Sequence, residues 1–99
     1  MNFNTSSLFD KESKKLSKKF NLLKSDLKNF VDNFDNLHLQ AIPIKDKLFK
    51  IRLANSNKNR GKSAGYRIYY YLKVENNVYL LTIYDKSQKD TIDEDILID

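Results

Sequence analysis

Between Leu48 and Lys86 the basic residues fall at spacings that put them on one surface. In Leu48-Phe49-Lys50-Ile51-Arg52-Leu53 the apolar Phe49, Ile51 and Leu53 alternate with Lys50 and Arg52. Successive side chains of a strand point to opposite faces, so the two cations share one face and the apolar residues the other. A second strand-like run, Tyr66-Arg67-Ile68-Tyr69-Tyr70-Tyr71-Leu72-Lys73, contributes Arg67 and Tyr69, and a third ends at Tyr84-Asp85-Lys86. Lys58, Arg60 and Lys62 lie in the Gly/Ser/Asn-rich link between the first two runs, and Lys89 follows the third. A sheet face of Lys, Arg and Tyr, with almost no carboxylate or histidine, suits a phosphodiester backbone.

The rest of the composition is consistent with a polyanionic partner and narrows the alternatives. The 99 residues are enough for one domain with one modest core, and the net charge is +5 with a pI near 9.4. Lysines concentrate between Lys11 and Lys28 and between Lys45 and Lys62, whereas Asp90 to Asp99 carry only acidic charges. The absence of cysteine excludes disulfides and thiolate metal sites, and a single histidine, His38, makes no metal centre by itself. His38 reads as structural or solvated. No apolar run approaches the roughly 20 residues of a membrane span, and Met1 to Ser7 has no signal-peptide core. The expectation is a soluble, cytoplasmic protein without a cofactor.

The elements that must position these cations are legible in outline. Residues 2–5 suit a short strand, and Ser6, Ser7 and Asp10 are N-cap candidates for the helical pattern that follows. Leu16, Phe20, Leu23, Leu27, Phe30 and Phe34 recur at intervals of three and four, one apolar stripe on helical geometry. That periodicity allows one long helix or two joined near Phe20-Asn21. Residues 36–47, with the only proline at Pro43, read as a connection. Strands are expected at roughly 48–54, 66–74 and 78–85, the last two joined by a tight turn at Glu75-Asn76-Asn77. Residues 91–98 suit a short helix with Ile92 and Ile96 turned inward. This order predicts an α+β fold, with helices on one face of a small, mainly antiparallel sheet and the opposite face free.

At this point the chain resembles the RelE/ParE superfamily of bacterial toxins, and specifically the RelE-like mRNA endoribonucleases of type II toxin–antitoxin pairs. The resemblance covers most of the chain. It is carried by Phe9 to Phe20, by Phe49-Lys50-Ile51-Arg52-Leu53, by Gly65-Tyr66-Arg67-Ile68-Tyr69-Tyr70 and by Tyr79 to Lys86. It implies a single RelE-like toxin domain over residues 1–99 with β-α-α-β-β-β order, the apolar stripe forming a helical hairpin. It also implies mRNA cleavage in the ribosomal A site and neutralisation by a cognate antitoxin, with no membrane partner. Lys50, Arg52, Arg67 and Lys86 match the family's basic positions.

Cleavage by such a site needs a base for the 2′-hydroxyl, charge stabilisation at phosphorus and a proton for the leaving oxygen. Arginine stays protonated in proteins, so Arg52 and Arg67 are assigned to binding and charge stabilisation. Lys50 is the acid/base candidate, with the neighbouring arginines favouring its neutral form. Lys86, Lys89 and Tyr84 are possible proton donors. Lys58, Arg60 and Lys62 suit a phosphate clamp, and Tyr69 a base stack. Each has a plainer alternative: solvated sheet residues for Lys50 and Arg52, an Arg67–Asp85 ion pair, and solubility for the loop. Where many active members place a tyrosine or histidine near the C-terminus, this chain has none after Tyr84, which leaves the general acid unassigned. The superfamily also includes gyrase-poisoning and inactive members. The resemblance therefore also admits, as alternatives, a ParE-like gyrase inhibitor or a non-cleaving RNA- or ribosome-binding protein, though Lys50, Arg52 and Arg67 favour the nuclease.

Overall fold

In the computed structural model, which describes residues 1–58, 61, 64–73 and 76–88, the chain begins with strand β1, Asn2–Thr5. Helices α1 (Ser7–Lys19), α2 (Leu23–Asp32) and the short α3 (Phe34–His38) come next. Strands β2 (Ile42–Lys45), β3 (Leu48–Leu53), β4 (Tyr66–Lys73) and β5 (Asn77–Asp85) complete the described elements. They form one sheet of order β1-β5-β4-β3-β2. Every neighbouring pair is antiparallel except β1 with β5, which is parallel. This is a small α+β fold.

Ser6 starts α1 in two ways. Its Oγ accepts the Phe9 N–H (2.9 Å), capping the helix, and its hydroxyl donates to the Leu81 carbonyl (2.6 Å), fixing the helix start on β5. Asp10 in the first turn and Lys18 and Lys19 in the last complement the helix dipole. The apolar stripe becomes the core as its spacing requires: Leu16, Phe20, Leu23, Phe30 and Phe34 are buried, and Leu27 packs against them. The chain breaks after Lys19, so the stripe is carried by a hairpin of two helices with α3 appended.

These side chains meet Ile51 and Leu53 of β3, Tyr66, Ile68 and Tyr70 of β4, and Val78, Leu80 and Ile83 of β5. The helices therefore cover one sheet face. Phe30 and Phe34 both sit edge-on to Tyr70, an arrangement that adds modestly to area burial.

Residues 36–47 are more ordered than a connection. Past α3 they form the edge strand β2, on which Pro43 is tolerated because an edge residue has no second ladder to donate to. The β2–β3 register shifts between Pro43 and Lys45, and Lys47 turns the chain with a positive φ of 62°. The β4–β5 turn uses Asn76 at φ 61°, the left-handed angle expected of asparagine. The helix expected over 91–98 lies outside the described residues.

Candidate nucleic-acid face

Strand register decides which cations become neighbours. Lys50 stands opposite Tyr69, and Tyr69 opposite Thr82; Arg52 stands opposite Arg67, and Arg67 opposite Tyr84. Directly opposed residues share a face. Lys50, Arg52, Arg67, Tyr69 and Tyr84 thus form two adjacent rows on the face turned away from the helices.

That face is less open than the alternation suggests. Arg52 is exposed and Lys50 half-buried, but Arg67 is only 5% exposed and Tyr69 and Tyr84 are 0% and 1%. Tyr69 and Tyr84 lie roughly parallel with ring centroids 6.5 Å apart, and the Lys50 ammonium sits 5.7 Å from the Tyr69 ring centroid. Tyr69 is therefore part of a buried pair under Lys50 and not an exposed stacking surface. The Arg67 guanidinium donates to the carbonyls of Tyr66 (3.3 Å) and Gly65 (3.4 Å). Lys86 is exposed just past β5, its N–H bonded to the Gly65 carbonyl (3.0 Å). Arg60, Lys62 and Lys89 lie outside the described residues.

Lys58 does something other than clamp phosphate. Its ammonium bonds the Asp85 carboxylate (2.5 Å) and the Ala64 carbonyl (3.1 Å) and lies 5.6 Å from the Phe20 ring centroid. Asp85 stands opposite Tyr66, on the helix side of the sheet, and is fully buried. It also accepts from Asn55 Nδ2 (3.1 Å) and from the Ser87 N–H (3.0 Å) and hydroxyl. Burial by itself pushes this carboxyl up; the hydrogen bonds from Lys58, Ser87 and Asn55 outweigh it and hold it below the ordinary range. The ion pair considered for Arg67 is thus made by Lys58, from the opposite face.

Asp26 of α2 ties the same loop from the other side, accepting from the Ser56 N–H (3.0 Å) and hydroxyl. The Tyr66 hydroxyl is buried close to both carboxylates, and desolvation, then Asp26 and Asp85, raise its pKa, so the phenol stays protonated. This polar node anchors the start of the link between β3 and β4. The sequence held a partial signal for it: Asn55, Ser56 and Asn57 are residues whose short side chains bond local backbone, as Asn55 Oδ1 does to the Asn57 N–H (3.0 Å). Gly65 completes the node. A Cβ there would stand 2.1 Å from the Leu53 carbonyl oxygen, so only glycine lets β4 start against the end of β3.

A second residue missed in the sequence is Glu12. Its Oε1 accepts from the Thr82 hydroxyl (2.5 Å) and the Ile83 N–H (3.1 Å), serving β5 where β1 no longer reaches it. His38 is structural: its Nδ1 lies 2.6 Å from the Tyr70 hydroxyl and its ring stacks on Phe34. Burial raises the Tyr70 pKa, so the phenol stays protonated and shares a hydrogen bond with the His38 ring. Among the described residues no group of three or more His, Cys, Asp or Glu side chains is placed to hold a metal, and no helix is long and apolar enough to cross a membrane.

No family model matches the sequence, and a search of curated proteins finds no match.

Proposed function

We propose that this chain is the toxin of a type II toxin–antitoxin pair, a RelE-like endoribonuclease that cuts mRNA in the ribosomal A site and is neutralised by a cognate antitoxin. The observation that carries the reading is the register that sets Arg52 opposite Arg67, with Lys50 in the adjoining row. Three cations gathered in adjoining rows, with Arg52 exposed among them, suit the oxygens of a phosphodiester.

Within this reading Arg52, being exposed, takes the phosphate oxygens directly. Arg67, held by the Tyr66 and Gly65 carbonyls, contributes fixed positive charge beneath them, preorganised for the charge that develops at phosphorus. Lys50 moves the proton of the 2′-hydroxyl, and exposed Lys86 is the candidate donor to the leaving oxygen. The ribosome supplies the alignment that so lightly equipped a site lacks.

A second reading, RNA or ribosome binding without cleavage, is favoured by one observation. The phenols in these rows, Tyr69 and Tyr84, are buried and do not reach solvent to act as proton donors. Programmed ribosomes mixed with the purified chain separate the two. Cuts mapped to the A site, and lost in Lys50→Ala and Arg52→Ala, support the nuclease. Ribosome binding with intact mRNA supports the second reading, and inhibited DNA supercoiling without either points to a gyrase inhibitor.

A further inference from the structure

Beside the basic rows, α1 runs past the open end of β5 and leaves a cavity of about 250 Å³ lined by Glu12, Lys15, Leu16, Ile83, Tyr84 and Gln88. That is below the size of drug-binding pockets but holds one planar ring system. Its position follows from the sheet: β1 pairs with β5 only as far as Leu80, so the edge from Thr82 onward is faced by α1.

The lining is chemically asymmetric. Leu16, Ile83 and Tyr84, each no more than 3% exposed, close its floor. Both bonds that fix Glu12, from Thr82 and from the Ile83 N–H, fall on Oε1 and leave Oε2 to accept from a ligand. Gln88 accepts the Asp85 N–H through Oε1 (3.2 Å), leaving its Nε2 to donate. The cavity therefore offers a fixed carboxylate acceptor and an amide donor over an apolar floor, with Lys15 exposed at its margin. Tyr84 also stands opposite Arg67, so the cavity lies one strand, about 5 Å, from Arg67 and two strands, about 10 Å, from Arg52.

We infer that this cavity is a nucleobase subsite, reading the amino-bearing edge of one base of an RNA whose backbone Arg52 holds two strands away. The inference rests on the RNA-cleaving reading and adds to it a base-selecting element on α1. A carboxylate accepts from the exocyclic amino groups of cytosine, adenine or guanine, and is repelled by the carbonyl oxygens that flank the uracil N–H. Lys15 meets the backbone phosphate and reads no sequence.

The test is equilibrium binding of the purified chain to labelled uridine hexamers carrying no substitution or a single A, C or G, at low salt. The expected result is at least about tenfold tighter binding of one or more amino-bearing hexamers than of oligouridine, the scale of one hydrogen bond to a charged group. Glu12→Gln keeps an oxygen for the Ile83 N–H and should erase most of that preference, weakening the preferred hexamer without weakening oligouridine. Gln88→Leu, on an exposed side chain, should also weaken the preferred hexamer at least about threefold. Lys15→Ala should weaken all hexamers equally. Equal affinity for all four hexamers, or a preference untouched in both Glu12→Gln and Gln88→Leu, overturns the subsite and leaves A-site cleavage standing. No hexamer bound and no ribosomal mRNA cut overturns both.

Discussion

Asp85 and Gly65 carry more of this molecule than their neighbours in sequence suggest. Asp85 is a buried carboxylate whose charge is held by Lys58, Ser87 and Asn55, with its pKa below the ordinary value despite burial. Because the folded state favours the ionised form, the contribution to stability is complete above about pH 4, the unfolded value, and is lost as pH falls through the folded pKa. Thermal melts between pH 6 and pH 3 should show a fall in Tm that is shallower in Asp85→Asn, which has no carboxylate to titrate there. At neutral pH the same variant should be less stable by about 2–4 kcal/mol, since it leaves Lys58 without its anion. Gly65→Ala should cost at least about 3 kcal/mol, because the obstacle to its Cβ is backbone and cannot step aside. Denaturant midpoints measure both. Gly61→Ala is the contrast: its Cβ meets nothing within 4 Å, and only the φ of 78° opposes it, so about 1 kcal/mol is expected. The sequence marked Lys50, Arg52 and Arg67 as one group through period-two alternation, and the register places them together. It could not mark Arg67 and Tyr69 as buried, since alternation gives a face but not what lies over it. Sequence alone suits Lys58 to a phosphate clamp, because a lysine in a polar loop has no pattern that reveals a partner 27 positions away.

Among the elements, α1 shows how one side chain joins two functions. The Ser6 hydroxyl caps the helix and bonds Leu81, so Ser6→Ala should cost about 1–2 kcal/mol, at the upper end for a cap because a bond to β5 goes with it. Circular dichroism during urea unfolding would measure this, and Ser6→Asp, which can cap but lacks the hydroxyl donor, should recover only part of the loss. The helical hairpin, the three central strands and the Asn76 turn were legible because each has a dense local signal: stripe, alternation or turn chemistry. Strand β2 was not legible. Four residues containing proline and lacking alternation look like a loop, and their strand character comes from the ladder that β3 provides. The parallel pairing of β1 was equally hidden, because residues 2–5 carry no mark of which strand they will join.

At the scale of the whole molecule the charge is spread unequally. Of the basic residues of β3 and β4 on the face away from the helices, Arg52 and Lys73 are exposed, Lys50 half-exposed and Arg67 buried, while α1 holds Lys11, Lys14, Lys15, Lys18 and Lys19, of which all are exposed. If RNA lies along the sheet and touches α1, its affinity must fall steeply with salt, by about 0.7 in log K per log unit of salt for each phosphate neutralised on a single strand. Arg52→Ala should lower that slope by about one such increment, and Lys18→Ala should leave it unchanged if only the cavity end of α1 is engaged. A titration of oligonucleotide binding from low to moderate salt reads both slopes, and equal slopes in all three proteins would remove the phosphate contact from Arg52.

The seam between β1 and β5 has a consequence in time. Asn2 pairs with Asn77 and Thr5 with Leu80, so β1 meets its only described neighbour in the sheet 75 positions later. Until then Phe3 has no Val78 to pack beside, and Ser6 has no Leu81 carbonyl to hold α1 in place. The later hairpins, β2 with β3 and β4 with β5, can close locally as they emerge. Order of synthesis and order of assembly therefore run in opposite directions at this seam: β1 is made before these hairpins and acquires its place after them.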